Sequence, residues 1–196
     1  KISRQDLLKR FHPLSACAYA DDPLFQLGLA DQYVEALTQN ISAASDRRDA
    51  PIPTGRRLRI GYVSSDLRAH AVGYLMANLF EAHDPGAIEV FVYYCGIPAS
   101  DEINQRIKSA VAHWTDIRSM NDDEAAAAIA ADGIDILVDV NGHTRDARLG
   151  VFARRPAPVI VNWLGYPGTM GSPFHHYIVA DDWVIPEDHE LYYSER

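Results

Sequence analysis

The spacing of apolar and polar positions changes character at residue 58. Before it the pattern is helical. Leu7, Leu8 and Phe11 fall at helical spacing in a charged background, and Leu27, Leu29, Tyr33, Val34, Leu37 and Ile41 draw one stripe of a long helix that begins near Leu24. Asp21-Asp22-Pro23 is its start signal, with proline just inside an acidic cap. The polar run Ser45-Asp46-Arg47-Arg48-Asp49 ends it. Residues 1–50 are thus predicted as a helical segment, and 51–57 as a linker stiffened by Pro51 and Pro53 and broken by Gly55.

From Leu58 short β-prone runs alternate with helical patterns of about ten residues. Strands are predicted over 58–63, 88–94, 114–117, 134–140, 158–163 and 177–180. Helices are predicted over 72–83, 102–113, 122–132 and 148–153, the third on alanine propensity alone with Gly133 as its stop. Such alternation is the mark of βαβ units: an α/β fold with an open parallel sheet, Rossmann-like, carrying helices on both faces. Ligands of such sheets bind beyond the carboxyl ends of the strands. Three polar loops occupy those ends: Ser64 to His70, Asn141 to Arg148, and Leu164 to Ser172.

Composition narrows the function classes. The 196 residues are 47% hydrophobic and 23% charged, which is ordinary globular composition and excludes a disordered or collagen-like chain. Eighteen Lys and Arg against 27 Asp and Glu leave a net charge of −9, a poor balance for a duplex nucleic-acid partner. Cys17 and Cys95 are the two cysteines, with no CxxC spacing, so a reducing, cytoplasmic setting is expected. No apolar run approaches the roughly 18 residues of a membrane span, and no membrane partner is expected.

The first loop has a single glycine, Gly61, where a dinucleotide fingerprint needs three, so NAD binding is unsupported. Asp66 and His70 stand four apart at a strand-to-helix junction. Either the carboxylate orients the imidazole for proton transfer, or Asp66 caps the next helix and His70 is an exposed loop residue. In the second loop Asn141, His143, Thr144 and Arg145 are types that hold a hydroxylated or peptide ligand, Gly142 permits a tight turn, and Arg148 either joins them or pairs with Asp139. The third loop has Gly165, Gly168 and Gly171 with Pro167, a density that lets backbone N–H groups approach a ligand. The adjacent His175 and His176 point to opposite faces of a strand and do not chelate together. Asp181-Asp182 reads equally as a cation site or a solvated turn. No metal site is predicted.

Taken together, LRIGYVSSDLRAHAVGYLM (58–76), IEVFVYY (88–94), GIDILVDVNGHTRDAR (133–148), RRPAPVIVNWLGYPGTMG (154–171) and YIVADDWVIP (177–186) resemble the O-linked N-acetylglucosamine (O-GlcNAc) transferase family in its bacterial form. That family also includes the SPINDLY-type fucosyltransferases. The resemblance covers 58–196; residues 1–57 match only loosely the helical segment that follows tetratricopeptide repeats, and no complete repeat is visible.

The resemblance implies the N-terminal catalytic lobe of a two-lobed GT-B glycosyltransferase. It is an inverting enzyme without metal or other cofactor that moves N-acetylglucosamine from UDP-GlcNAc to Ser or Thr hydroxyls of proteins. Its partners are then a nucleotide-sugar donor, a protein or peptide acceptor, and the C-terminal catalytic lobe of the same enzyme. Transfer of fucose from GDP-fucose, or a degenerate lobe that only binds peptide or nucleotide, are the alternatives. By resemblance His70 is the active-site histidine and Asp66 its nearby aspartate, with His70 acting as base or as a positioning group. Leu164, Gly165 and Pro167 line the sugar and acceptor site. Thr144 and Arg148 belong to the loop after the fourth strand, and His143 stands where animal members carry tyrosine. Two departures are visible: Ala71-Val72 replace the Pro-Thr that follows the family's histidine, and Ala16 follows Pro13-Leu14-Ser15 where a second histidine is expected.

Overall fold

A computed structural model describes residues 11–44 and 54–196. The helical pattern at Leu7 and Leu8, the polar run at 45–49 and most of the proline linker lie outside the described residues. Six strands form one sheet: β1 (Leu58–Ser64), β2 (Ile88–Tyr94), β3 (His113–Asp116), β4 (Ile136–Asp139), β5 (Val159–Trp163) and β6 (Tyr177–Val179). Their spatial order is 3-2-1-4-5-6 and every neighbouring pair is parallel. This is the doubly wound Rossmann order, whose direction of winding reverses between β1 and β4.

The four central strands, β2, β1, β4 and β5, serve both faces because their side chains alternate. Val63, Phe91, Tyr93, Leu137 and Ile160 point to one core, and Tyr62, Val90, Val92, Tyr94 and Val138 to the other. The second core is covered by α3 (Ala71–Ala82), through Met76, Ala77 and Phe80, and by α4 (Glu102–Ala110), through Ile107. The first is covered by α5 (Asp122–Ala131), through Ala125, Ala126 and Ile129, and by α6 (Leu149–Ala153).

The β4–β5 crossover helix α6 has only five residues, too few to cover its share of the sheet face. The gap is filled from the N-terminal segment. That segment holds a one-turn helix, α1 (Pro13–Cys17), and the long α2 (Pro23–Thr38), whose Val34 enters the first core beside Leu149 and Phe152. The predicted α2 starts where expected, capped by the Asp22 carboxylate accepting from Phe25 N at 3.1 Å, but it ends at Thr38, so Ile41 lies beyond the helix and the polar run at 45–49 is not its stop. α1 and a 3₁₀ helix at Glu187–Tyr192 were not predicted, since one or two turns are too short to show a period.

The helix expected over 102–113 stops at Ala110: Val111 turns extended and His113 already opens β3. Among the described residues no helix is long and apolar enough to cross a membrane.

Candidate active site at the switch point of the sheet

Between β1 and β4 the chain leaves the two strands toward opposite faces, which opens a crevice at their carboxyl ends. Asn141 stitches that crevice. Its side chain is buried at 1% exposure; Oδ1 accepts from Ser65 N at 2.8 Å, while Nδ2 lies 2.8 Å from Ser65 Oγ, 3.0 Å from Thr144 Oγ1 and 3.2 Å from Asp66 Oδ2. The first two predicted loops therefore meet through one amide. Both of its N–H donors and one lone pair of Oδ1 are engaged within the protein, so Asn141 shapes the site.

The third loop joins them through backbone contact. Leu164 has φ 75°, and Gly165 N donates to Trp163 O at 3.0 Å, a three-residue γ-turn of the rare positive-φ kind. A bulky side chain in that region is strained. Packing of Leu164 onto the second core, next to Trp163, holds it there. The turn presses Gly165 against the second loop: a Cβ at 165 would lie 2.0 Å from Val140 O. The loop borders a groove of about 350 Å³, with Trp163, Leu164 and Pro167 on one wall and Val179, Ala180 and Asp181 on the other. His70 does not line this groove.

His70 sits half-exposed at the first turn of α3. It, and not Asp66, caps that helix: Nδ1 accepts from Val72 N at 3.3 Å. Asp66 Oδ1 is 3.9 Å from Nδ1, beyond hydrogen-bond reach, and instead accepts from Arg68 Nη2 at 3.3 Å. With its lone pair engaged at Nδ1, the neutral imidazole carries its proton on Nε2 and offers a hydrogen-bond donor outward. An Asp66–His70 hydrogen bond that orients the ring, one expectation from the spacing, is absent because the backbone of Val72 occupies the atom it needs.

Two further expectations are corrected by their partners. Arg148 does not pair with Asp139 and does not face the crevice. Its Nε donates to Asp122 Oδ1 at 2.7 Å, and its terminal nitrogens to the carbonyls of Ile117 (3.0 Å) and Met120 (2.9 Å), which ties the second loop to the start of α5. His143 is buried at 2% exposure and donates from Nε2 to Met170 O at 2.8 Å, its ring packed among His12, Tyr33 and Tyr166. It docks the N-terminal helices onto the rim. Burial pulls its pKa down to about 4. The two remaining members of the second loop are partly open: Thr144 is half-buried on Asn141, and the Arg145 side chain projects into solvent, 3.9 Å from Asp146.

Asp139 has other work. Oδ1 accepts from the N–H groups of Asn141 and Gly142, both at 2.9 Å, and Oδ2 faces His175 Nε2 at 3.2 Å. His175 Nδ1 meets Ser172 Oγ at 2.9 Å. All three are buried, so this Asp-His-Ser array is a brace between the second and third loops. His176, which with His175 precedes β6 and does not lie in a strand, has a different partner: its Nδ1 accepts from Ile160 N at 3.0 Å. Asp181 caps a turn, accepting from Trp183 N and Val184 N. Among the described residues no group of three or more His, Cys, Asp or Glu is placed to hold a metal ion. Burial raises the Cys95 thiol to about 12, which favours the protonated thiol over the thiolate.

Sequence reasoning missed the brace at Asp139 and His175, and also Glu195, whose carboxylate is buried against the third loop. A polar residue closing an apolar strand was the available signal for Asp139. None existed for Glu195, whose contacts are 25 and 26 positions away.

Comparison with known proteins adds the lineage. The chain is 35% identical over 97% of its length to a probable UDP-N-acetylglucosamine–peptide N-acetylglucosaminyltransferase, SEC, of Arabidopsis thaliana, covering 20% of that protein. It is 41% identical over 69% of its length to the Caenorhabditis elegans UDP-N-acetylglucosamine–peptide N-acetylglucosaminyltransferase, covering 12% of it. A mutant form of the Thermobaculum terrenum O-GlcNAc transferase superposes with a TM-score of 0.84 at 37% identity, over 93% of this chain and 35% of that one. The chain thus spans about a fifth of the Arabidopsis relative and about a third of the bacterial structure. A parallel sheet wound 3-2-1-4-5-6, with its three interlocked rim loops, coincides with the region matched by the family model, residues 26–196, and the chain belongs to glycosyl transferase family 41.

Proposed function

We propose that this chain is the N-terminal catalytic lobe of a cytoplasmic protein O-GlcNAc transferase. It works with a C-terminal lobe of the same enzyme to move N-acetylglucosamine from UDP-GlcNAc to Ser or Thr hydroxyls, with inversion and without a metal ion. The observation that carries this reading is the rim itself. Asp66, His70, Asn141 and the Leu164–Gly165 turn, which lie in the segments resembling the transferases, are gathered at the one crevice where a doubly wound sheet binds ligands.

The geometry favours one role for His70 over the other. A general base must present a lone pair to the attacking hydroxyl. The outward nitrogen of His70 bears the proton, because Nδ1 caps α3. His70 therefore donates from Nε2 to an oxygen of the donor or acceptor and positions it for attack on the anomeric carbon. As the acceptor oxygen bonds to the anomeric carbon and the bond to the diphosphate breaks, the hydroxyl proton passes to a phosphate oxygen of the donor, and the remaining charge on the departing diphosphate is met by donors of the partner lobe.

The test is transfer by the full-length protein with UDP-GlcNAc and GDP-fucose, comparing wild type with His70→Ala and His70→Gln. Transfer from UDP-GlcNAc is expected, with kcat lowered about a hundredfold in His70→Ala and partly restored by glutamine, whose amide also donates. Preference for GDP-fucose overturns the donor assignment. Transfer from neither nucleotide sugar makes the lobe a binding module. Equal loss in both variants returns His70 to the base role.

A further inference from the structure

The third rim loop is held by a buried carboxylate. Glu195 is 6% exposed; Oε1 accepts from Met170 N at 2.7 Å, and Oε2 accepts from Thr169 Oγ1 at 2.8 Å and from Ser194 Oγ at 2.9 Å. All three donors are neutral. The Thr169 hydroxyl in turn accepts from Gly171 N and Ser194 N, at 3.3 and 3.0 Å. Tyr193 reaches the same loop, its hydroxyl donating to Pro167 O at 3.0 Å. The segment behind these contacts is itself anchored, because Arg196 N donates to His176 O and Ile178 N to Arg196 O, both at 3.1 Å, beside β6.

Three consecutive residues, Tyr193, Ser194 and Glu195, thus grip a loop that is strained at its other end by Leu164. A strained backbone persists only where its surroundings fix it. A carboxylate buried among neutral donors is a costly way to fill space, since replacing it with apolar groups avoids its desolvation. It suits a requirement for fixed N–H geometry instead.

We propose that Glu195 is a positioning residue for the transfer reaction: it holds the backbone of Leu164–Ser172 in the conformation that lines the crevice. It touches no reacting atom, and the proposal rests on the transferase reading above for the reaction it serves. The loop's rigidity, by contrast, is a property of the chain whatever it transfers.

Glu195→Gln in the full-length protein separates the two. The amide keeps size but supplies one acceptor oxygen where the carboxylate supplies two. Hydrogen exchange in the peptide spanning 164–172 is expected to speed up about tenfold while peptides of β4 and β5 keep their protection. The thermal midpoint is expected to stay within a few degrees of wild type, with kcat for sugar transfer down about tenfold. Tyr193→Phe, which cannot threaten the core, is expected to loosen the same peptide to a smaller degree.

Unchanged exchange over 164–172 in both variants overturns the clamp. Protection lost across the whole sheet, with a lowered midpoint, overturns it as well by making Glu195 a general stabiliser. A loosened loop with undiminished kcat overturns the positioning role. If the wild-type protein transfers no sugar, the transferase reading fails on its own, and the exchange result still decides whether Glu195 holds the loop.

Discussion

A methyl group at position 165 would meet Val140 O at 2.0 Å, and the next atoms in its way, Val140 C and Asn141 Cα, are also backbone. No rotamer change relieves such a contact, so one loop must move off the other. Gly165→Ala is expected to destabilise the lobe by about 2 kcal/mol or more, read as a lower urea midpoint at unchanged m-value, and to abolish transfer in the full-length protein. Wild-type stability in this variant would mean that the second and third loops are not in register at the rim. The neighbouring Leu164 carries the opposite constraint: a residue that would prefer another backbone region is kept at φ 75° by its side chain's place in the core. Both positions belong to a stretch that reads as glycine-rich in sequence. Gly165 is needed for close approach, whereas the actual left-handed residue next to it is a leucine, which no composition rule identifies.

Among the elements, the strands were the most legible part of the chain. β1, β2 and β5 follow apolar runs whose both-face burial leaves little ambiguity, and the parallel order follows from their alternation with helices. The helix α5 was legible from alanine propensity alone, and its start at Asp122 is fixed by a reciprocal capping box that the sequence reading did not use, Asn121 with Glu124 at 2.8 and 2.9 Å. What escaped was pairing at a distance. Arg148 and Asp139 stand nine apart at the two ends of one loop, yet the arginine reaches Asp122 and the aspartate reaches His175, because tertiary packing brings nearer partners. His70 and Asp66, at helical spacing, lie close without bonding, since an N–H of the first turn of α3, that of Val72, takes the imidazole nitrogen. The element that locks these choices is the Asn141 bridge. Asn141→Ala leaves Ser65 N buried without its partner and frees Asp66 and Thr144 together, so a loss of about 3 kcal/mol is expected by chemical denaturation. The α3 end and the second loop should gain hydrogen exchange in parallel. Exchange confined to the second loop would show that the bridge carries no coupling across the crevice.

At the scale of the whole molecule, the N-terminal helices and the α/β lobe meet at a cluster of rings whose burial favours neutral imidazoles. His143 is enclosed by His12 at 6.4 Å, Tyr33 at 5.3 Å and Tyr166 at 5.2 Å, measured between ring centroids. Burial lowers its pKa to about 4; the nearby His175 and His12 push it the same way, while the carbonyl of Met170 and the carboxylate of Asp139 oppose. His12 is lowered too, again by burial. An imidazole in the unfolded chain titrates near 6.5. Between that value and about 4 the unfolded chain binds the proton that the folded one refuses, so stability is full above pH 6.5 and falls as pH drops. Between pH 7 and pH 5 the His143 contribution amounts to about 2 kcal/mol. Two carboxylates are also held low, Asp135 by Arg56 and the backbone of Arg59 against the upward push of burial, and Asp123 by Arg154; their losses set in as pH falls into the ordinary carboxylate range, about 4, and grow below it. Urea titrations at pH 7 and pH 5 therefore isolate the histidines. His143→Phe keeps an aromatic ring in the cluster, removes the titrating group and gives up the bond to Met170 O. It is expected to be less stable than wild type at pH 7 and to lose most of the difference between the two pH values. If the variant falls as steeply as wild type from pH 7 to pH 5, the acid sensitivity belongs to other groups and the joint between helices and lobe is not where the molecule senses it.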